Sequence, residues 1–211
     1  MPYLSLMTFI PLLGAIIILL MPKSQEKLIK NFSVVISLIP LAISIFLWAI
    51  YIDSGPLGGR FYSEMYPNGE YFNVVENIAW IPAIGVRYHM DVDGLSLPLV
   101  VLTTLLMTLS LWYSAKTIHK RVKEFFALFL LLEMGMLGVF VSLDLILFYF
   151  FWEIGLVPMF LLIGIWGQPK DRPQYSAIKF FIYTLVGSVA MLLAFIGIYL
   201  VTGSWDITEI P

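Results

Sequence analysis

The sequence predicts an all-α integral membrane protein with about six transmembrane helices. Of its 211 residues, 60% are hydrophobic and only 12% are charged, whereas a soluble domain carries about 25% charged residues. The charged residues fall into short clusters separated by apolar runs of about 18–25 residues, the length that a helix needs to cross ~30 Å of hydrocarbon. Because irregular backbone in hydrocarbon leaves amide groups unbonded, we expect each apolar run to be helical.

Six spans are predicted from these runs, at residues 3–22, 32–52, 93–114, 125–143, 145–166 and 175–203. The first run follows no basic stretch and has no small-residue cleavage site before Lys23, so we interpret it as a retained helix rather than a signal peptide. We divide the chain into residues 1–114, with three helices and an external loop at 53–92, and residues 115–211, with the other three helices.

The long loop at 53–92 contains glycine, proline and asparagine residues that are typical of turns. Two stretches within it, Tyr71–Val75 and Val86–His89, are candidate strands of a small external hairpin. The chain contains no internal repeat and no glycine pattern of a dinucleotide-binding or phosphate-binding loop.

The loops alternate in charge along the chain. Cations predominate after the first, third and fifth spans, at Lys23, Lys27 and Lys30, at Lys116, Lys120, Arg121 and Lys123, and at Lys170 and Arg172. The other loops and the C-terminal tail carry mainly aspartate and glutamate. Because basic loops favour the cytoplasmic side of a membrane, we expect the three basic loops to be cytoplasmic and both termini to be external.

The composition excludes several kinds of site. The chain has no cysteine, which excludes disulfides, thiolate catalysis and cysteine-ligated zinc or iron–sulfur centres. Its two histidines, His89 and His119, lie on different loops. We interpret His119 as a solvated residue, and a metal site at His89 would need convergent ligands, so no metal is predicted.

Three ionisable residues lie within predicted spans: Glu133, Glu153 and Lys179. A charge at the centre of a bilayer costs about 2.5–3.5 kcal/mol on insertion scales, so such residues face a bundle interior, pair with one another or line a wet path. A single protonated glutamate can also hydrogen-bond a neighbouring helix in a purely structural role. Two glutamates on consecutive spans favour a functional interpretation.

The depth of the two glutamates supports that interpretation. Each is the ninth residue of its predicted span, about 12 Å from opposite surfaces of the membrane. The short connection at 142–144 makes their helices antiparallel neighbours. Removal from water favours the neutral form of a carboxyl group, which lets it take up and release protons near neutral pH. This is the chemistry of a proton relay.

Two other residues have open interpretations. Pro158 lies five residues after Glu153 and removes the helical hydrogen bond of the Ile154 carbonyl, which can then hold water; a merely tolerated membrane proline is the alternative. Lys179 lies about one turn inside its span, so its side chain can either extend to the cytoplasmic interface or occupy a buried functional position.

Smaller features predict helix ends and helix contacts. Asp93 and Asp144 precede the third and fifth spans and suit helix N-caps. Small residues on the fourth and sixth spans suit close packing of helices, namely Gly135, Gly138, Gly187 and Ser188.

Three stretches of the sequence resemble one known family: MDVDGLSLPLVVLTTLLM at 90–107, LLLEMGMLGVFVSLDLILFYFFWEIGLVPMFLLIGIWG at 130–167 and YSAIKFFIYTLVGSVAMLL at 175–193. They are similar to the antiporter-like membrane subunits of respiratory complex I, and most similar to the chain M type of NADH–quinone oxidoreductase, the counterpart of mitochondrial subunit 4. The resemblance runs through nearly all of residues 1–211. Related chains occur in multisubunit sodium/proton antiporters and membrane-bound hydrogenases.

The resemblance implies a fold and a set of site residues. The fold is the first part of a fourteen-helix antiporter-like structure, and residues 115–211 begin its first helical repeat with helices 4–6. Glu153 matches a principal residue of the family's proton path, and Glu133 matches a glutamate that joins charge chains along the membrane arm. Lys179 matches the cation of the sixth helix, which favours a buried role.

The resemblance also implies function and partners. We expect a proton-translocating subunit of a complex I-like NADH–quinone oxidoreductase, which acts as a translocase without a redox site of its own. NADH, flavin, iron–sulfur clusters and quinone are expected in partner subunits, and the chain itself is expected to bind no cofactor, metal or nucleic acid. Its partners are other membrane-arm subunits in an energy-transducing membrane, most simply the bacterial or archaeal cell membrane. The alternatives are a subunit of a cation/proton antiporter or membrane-bound hydrogenase, and a non-conducting assembly segment.

The chain departs from the family pattern in length. The family has about fourteen helices, and lysine or glutamate residues on the seventh, eighth and twelfth complete the proton path. This sequence stops after the sixth, so we expect a fragment, a split subunit whose helices 7–14 come from a second chain, or a truncated copy. Alone it is not expected to conduct protons.

Overall fold

The computed structural model describes residues 2–53, 74–168 and 172–210. Within these ranges it has six long helices: α1 (Tyr3–Leu20), α2 (Glu26–Asp53), α3 (Ser96–Thr117), α4 (Val122–Val141), α5 (Leu145–Trp166) and α6 (Pro173–Thr202). Each is long and apolar enough to cross a membrane. The prediction of six helices is therefore confirmed, and the protein is a multi-pass membrane protein.

Most helix boundaries differ from the predicted ones by one to six residues, and the starts of the second and third helices have a local cause. The second helix begins at Glu26 rather than at residue 32, because lysine and glutamate are good helix formers and extend the helix beyond its apolar part. The third begins at Ser96 rather than at residue 93. There the Asp93 carboxylate accepts hydrogen bonds from the backbone N–H groups of Leu95 and Ser96 at 3.1 and 2.6 Å, as predicted for a residue at a helix start.

A two-stranded antiparallel hairpin precedes α3. Its strands are β1 (Glu76–Ile81) and β2 (Val86–Met90), joined by a 3-10 turn at Pro82–Ile84 and by Gly85, whose φ of 74° favours glycine. The predicted strand at 86–89 is confirmed. The predicted strand at 71–75 is wrong for residues 74 and 75, which precede β1. The rest of that stretch and the turn residues from 54 to 70 lie outside the described residues.

The helices run between two ends of opposite charge. We define the acidic end by Asp91, Asp144 and Asp206, and the basic end by Lys23, Lys120, Arg121 and Lys123. At the basic end the Lys123 ammonium donates to the Met21 carbonyl at 2.7 Å, which joins the end of α1 to the start of α4. Helices α1 and α4 are therefore antiparallel.

Helices α1 to α4 enclose two apolar clusters. The acidic-end cluster contains, on these four helices, Leu4, Met7, Leu47, Leu97, Val100, Met134, Leu137 and Val141. The basic-end cluster contains Ala15, Ile18, Ile29, Leu111, Val122, Phe125, Phe126, Ala127 and Leu130. All these side chains are buried.

Helices α4 and α5 approach closely because glycines line their contact. A Cβ atom added to Gly135 would lie 3.0 Å from the backbone of Gly155, and one added to Gly138 would lie 2.2 Å from the Phe151 ring. The predicted packing role of Gly135 and Gly138 is confirmed. Gly187, in contrast, has no described atom within 4 Å of an added Cβ, so it packs against no helix here.

A buried polar network holds the acidic end together. His89 of β2 and Asp206, which follows α6, are buried and joined by a 2.7 Å contact between Nδ1 and Oδ2. The backbone N–H of Leu143 donates to the His89 carbonyl, and Ile207 donates to the Leu143 carbonyl, both at 2.9 Å. The hairpin, the connection between α4 and α5, and the segment after α6 are thus fastened to one another.

Asp144 caps α5 within this network. Its carboxylate accepts from the N–H groups of Ile146 and Leu147 at 2.9 and 3.1 Å, and from the N–H of Arg87 at 2.9 Å. The predicted cap is therefore confirmed. Burial nevertheless raises the pKa of Asp144 above its ordinary value, and the negative charge of Asp206 adds to that effect.

Asp91 and Asp206 have pKa values shifted in opposite directions. Burial raises the pKa of Asp91 to about 6, although a hydrogen bond from Val92 opposes the shift. Burial also disfavours the Asp206 carboxylate, but hydrogen bonds from Thr208 and the contact with His89 hold its pKa below the ordinary value.

Substituting alanine for Gly138 is expected to destabilise the protein by about 1–3 kcal/mol, because the added methyl group overlaps the fully buried Phe151 ring. The matched control is Gly187→Ala, which meets open space and should be neutral or slightly stabilising because alanine favours helix. Thermal unfolding in detergent, followed by tryptophan fluorescence, measures both. Equal melting temperatures for the two variants would contradict the α4–α5 packing.

Replacing Asp91 by Asn is expected to stabilise the protein at neutral pH by an amount on the order of 2 kcal/mol, and to have little effect at about pH 4. Burial raises the pKa of folded Asp91 to about 6. The protonated carboxyl group therefore makes its full contribution to stability below the pKa of the unfolded state, and this contribution is lost as the pH rises through 6. Unfolding measured at both pH values gives the difference.

The control for this prediction is Asp93→Asn. Despite the opposing effect of partial burial, hydrogen bonds from Ser96 and Leu95 lower the pKa of Asp93, so loss of its charge should not stabilise the protein at neutral pH. If Asp91→Asn raises the free energy of unfolding equally at both pH values, burial of the Asp91 charge is not the cause of the stabilisation.

Candidate functional site

Glu153 lies in the middle of α5, as predicted. It is the ninth residue of the helix, about 12 Å along the axis from the acidic end. Its side chain is half-buried, and its Oε1 atom is buried without a hydrogen-bond partner among the described residues. One turn earlier, the Tyr149 side chain interacts with the Glu153 carboxyl group and with the Ser188 hydroxyl of α6.

The local sequence positions Glu153 by fixing both ends of its helix. Asp144 caps the first turn, and the helix continues through Pro158 to Trp166. Pro158 is buried and has no N–H to donate, so the Ile154 carbonyl lacks its usual helical partner. The helix does not end at the proline, and the aliphatic and aromatic residues after it continue its apolar surface.

Glu133 lies in the middle of α4 and is completely buried. Its exposed fraction is 0%, and neither carboxyl oxygen has a hydrogen-bond partner among the described residues. The helix begins three residues earlier than predicted, at Val122, so Glu133 lies about 17 Å from the basic end rather than about 12 Å. It remains in the middle third of the span.

The two glutamates are on neighbouring antiparallel helices but point in opposite directions. Gly135 meets Gly155 at the helix contact, and each glutamate precedes its glycine by two residues. A residue two positions away is rotated by about 200° around a helix, so both carboxyl groups point away from the contact. Glu133 therefore faces the interior of α1 to α4, and Glu153 faces α6.

Lys179 is placed apart from both glutamates. It is exposed on α6. Gly164 of α5 faces Ala177 of α6, and Lys179 is rotated by about 200° from Ala177, so it points away from α5. The same register places it about 13 Å from Glu153 along the helix axes. Within the described residues Lys179 pairs with neither glutamate.

Several residues of the site were not predicted as functional. Tyr149 and Ser188 contact the Glu153 site; the spacing of four residues between Tyr149 and Glu153 was a visible signal, whereas Ser188 was interpreted only as a packing residue. The pairing of His89 with Asp206 joins residues 117 positions apart, which no local pattern indicates. Among the described residues no group of three or more histidine, aspartate and glutamate side chains is arranged to hold a metal ion.

Comparison with known structures shows where this fold occurs. A chain of respiratory complex I from Thermus thermophilus with bound NADH matches with a TM-score of 0.76 at 23% identity, over 98% of this chain and 38% of that chain. A chain of the Mrp complex from Dietzia sp. DQ12-45-1b matches with a TM-score of 0.75 at 19% identity, over 98% of this chain and 20% of that chain. These likenesses establish the antiporter-like membrane fold alone.

The sequence comparisons are more specific. The sequence model of the family described as "NADH:quinone oxidoreductase/Mrp antiporter, TM" matches residues 142–211. The "NADH-quinone oxidoreductase subunit M" of Rhodobacter capsulatus is 40% identical over 211 residues, which cover 98% of this chain and 38% of the relative. The "NADH-ubiquinone oxidoreductase chain 4" of Prototheca wickerhamii is 41% identical over 209 residues, 98% of this chain and 40% of the relative.

The chain thus spans about two fifths of the length of these relatives, while they match nearly all of it. The order of its helices, the hairpin before α3 and the sequence likeness agree with the resemblance noted from the motifs. Over nearly all of its length the chain is thus similar to the antiporter-like membrane subunits of NADH–quinone oxidoreductases, the subunit M or chain 4 type.

Proposed function

We propose that this chain is a proton-translocating membrane subunit of a complex I-like NADH–quinone oxidoreductase and that Glu153 carries the proton. The observation that supports this best is the position of Glu153 in the middle of α5, with a buried and unpartnered carboxyl oxygen beside hydroxyl groups on two helices. A purely structural glutamate at this depth is expected to have its hydrogen bonds satisfied by a neighbouring helix.

The chemistry of the site follows from its low polarity. A carboxyl group in hydrocarbon favours its neutral form, and a nearby positive charge favours the anion. A change of charge in a neighbouring polypeptide therefore makes Glu153 release or take up a proton. The Tyr149 and Ser188 hydroxyls, which lie between α5 and α6, can pass a proton to or from the carboxyl group because each both donates and accepts a hydrogen bond.

Lys179 has a different place in this proposal. Because it faces away from α5 and is exposed, we assign its charge to a contact with a neighbouring polypeptide rather than to a pair with Glu153. Coupling between Lys179 and Glu153 is then electrostatic and indirect, through groups that adjoin the outer face of α6.

The proposal includes partners and a location. Electron transfer from NADH to quinone takes place in other subunits of the assembly, which hold the flavin and iron–sulfur clusters, and this chain contributes the membrane part of the proton path. The basic end lies on the cytoplasmic side of an energy-transducing membrane, since cations gather there at the start of α4 and after α1.

A second candidate function is cation/proton antiport without a redox partner. It is favoured by the description of the matching family, which includes Mrp antiporters, and by the likeness to the Mrp complex chain. Relatives that are 36–41% identical to this chain are named as subunits of NADH oxidoreductases, which favours the first proposal. A sodium gradient that drives proton movement in vesicles without NADH would support antiport instead.

Substituting Gln for Glu153 in the assembled complex is expected to reduce NADH-driven proton pumping by roughly tenfold or more, because the amide cannot exchange a proton at this position. Fluorescence quenching of a pH-sensitive dye in inverted membrane vesicles measures the pumping. The control is Glu26→Gln, an exposed glutamate at the start of α2, which should pump normally.

Co-purification of the other subunits with each variant separates loss of pumping from loss of assembly. An assembled Glu153→Gln complex that pumps at the normal rate would contradict the proposal and favour a non-conducting assembly segment.

A further inference from the structure

The interior of α1 to α4 contains a buried polar layer at mid-height. Its members are Thr8 on α1, Ser37 and Ser44 on α2, Thr104 and Thr108 on α3, and Glu133 on α4. All six side chains are at most 7% exposed. We refer to them as the polar layer.

On α1 and α4 the members of the polar layer lie between buried residues of the two apolar clusters. On α1, Met7 belongs to the acidic-end cluster and Ala15 to the basic-end cluster, and Thr8 lies between them. On α4, Met134 and Leu130 belong to different clusters, and Glu133 lies between them.

The same gap occurs on the other two helices. On α2 the acidic-end cluster contains Leu47 and the basic-end cluster contains Ile29; on α3 the corresponding residues are Val100 and Leu111. The serines and threonines of the polar layer lie within these intervals. Each of the four helices therefore carries buried polar groups in the interval between its acidic-end and basic-end apolar residues.

Part of the polar layer bonds within itself. The Ser44 and Thr104 hydroxyls are 2.9 Å apart, and the Thr108 hydroxyl donates to the Ser37 carbonyl at 3.1 Å. These contacts join α2 to α3, and the Ser37 hydroxyl donates to the Val34 carbonyl at 2.9 Å, so the four hydroxyl groups on those two helices all have partners.

The groups on α1 and α4 lack such partners. The Thr8 hydroxyl and both Glu133 oxygens are buried without a hydrogen-bond partner among the described residues. Gly14 faces Leu130 across the antiparallel pair, and this register places Thr8 about 5 Å from Glu133 along the axis. Both side chains are buried within the structure.

Prolines add further acceptors at this height. Pro11 lies inside α1 and Pro40 inside α2, so the carbonyls of Met7 and Ile36 lack their usual helical donors. Buried polar groups without partners are costly, and bound water with two to four polar contacts is the usual way in which proteins satisfy them. The unpartnered groups are mostly acceptors, and water supplies donors.

We propose that the polar layer is a binding site for ordered water between α1 and α4, and that Glu133 exchanges its proton with this water. The site is separate from that of Glu153, which lies on the other side of the α4–α5 contact. The role of this proton exchange in pumping rests on the proton-translocation function proposed above. The presence of the bound water does not depend on that function.

Thr8 is a positioning residue in this proposal because it holds the water that contacts Glu133. Infrared spectroscopy of the full chain in lipid vesicles tests it through the C=O band of the Glu133 carboxyl group, identified by its loss in Glu133→Gln. We expect a hydrogen-bonded band that shifts on exchange into D2O. In Thr8→Val the band should move to higher wavenumber, and in Thr8→Ser, which keeps the hydroxyl, it should stay in place.

The matched control is Thr117→Val on the exposed end of α3, which should leave the band unchanged. If Thr8→Val does not fold, Thr8→Ala removes the same hydroxyl and is tested with the same readout. A Glu133 band at the position of a free carboxyl, insensitive to D2O and to either threonine variant, would overturn the proposal. The infrared measurement involves no pumping. Its outcome is therefore independent of the result of the Glu153→Gln experiment.

Discussion

The contact of α4 with α5 through Gly135, Gly155 and Gly138 determines the arrangement of the charged interior. The glycines bring the helix backbones together. Glu133 and Glu153 each precede one of these glycines by two residues and are therefore turned away from the contact. One carboxyl group enters the bundle of α1 to α4, and the other turns toward α6. A larger residue at the contact would separate the helices and rotate both carboxyl groups away from their present surroundings. The glycines thus divide a single pair of helices into two polar environments.

The acidic end supplies the second constraint. The N-terminus of α5 is fixed by Asp144, whose carboxylate also binds the backbone of Arg87 in the hairpin. His89 and Asp206 connect the hairpin to the segment after α6. Charged and polar groups at this end are buried because the hairpin covers the connection between α4 and α5. The depth of Glu153 therefore depends on contacts outside the apolar region, since they set where its helix begins.

Much of the fold could be predicted from composition because hydrocarbon permits few alternatives to helix. The six spans, the caps at Asp93 and Asp144 and the position of both glutamates in the middle third of their helices followed from run length and local pattern. The directions of the glutamates did not, because they depend on which faces of α4 and α5 meet. The His89–Asp206 pair and the polar layer also depend on tertiary packing, which brings together residues distant in the chain. The first strand was misplaced because its register is set by pairing with Val86–Met90 rather than by local composition.

The fastening of the hairpin, the α4–α5 connection and the segment after α6 has a mechanical consequence. Several backbone hydrogen bonds and the buried His89–Asp206 pair hold that junction at one end of α6, and the helix begins at Pro173 at its other end. Any tilt of α6 about that junction would leave the region of Asp206 in place and displace Pro173 the most. Ser188, about halfway along the helix, would then move less relative to α5 than Lys179 does.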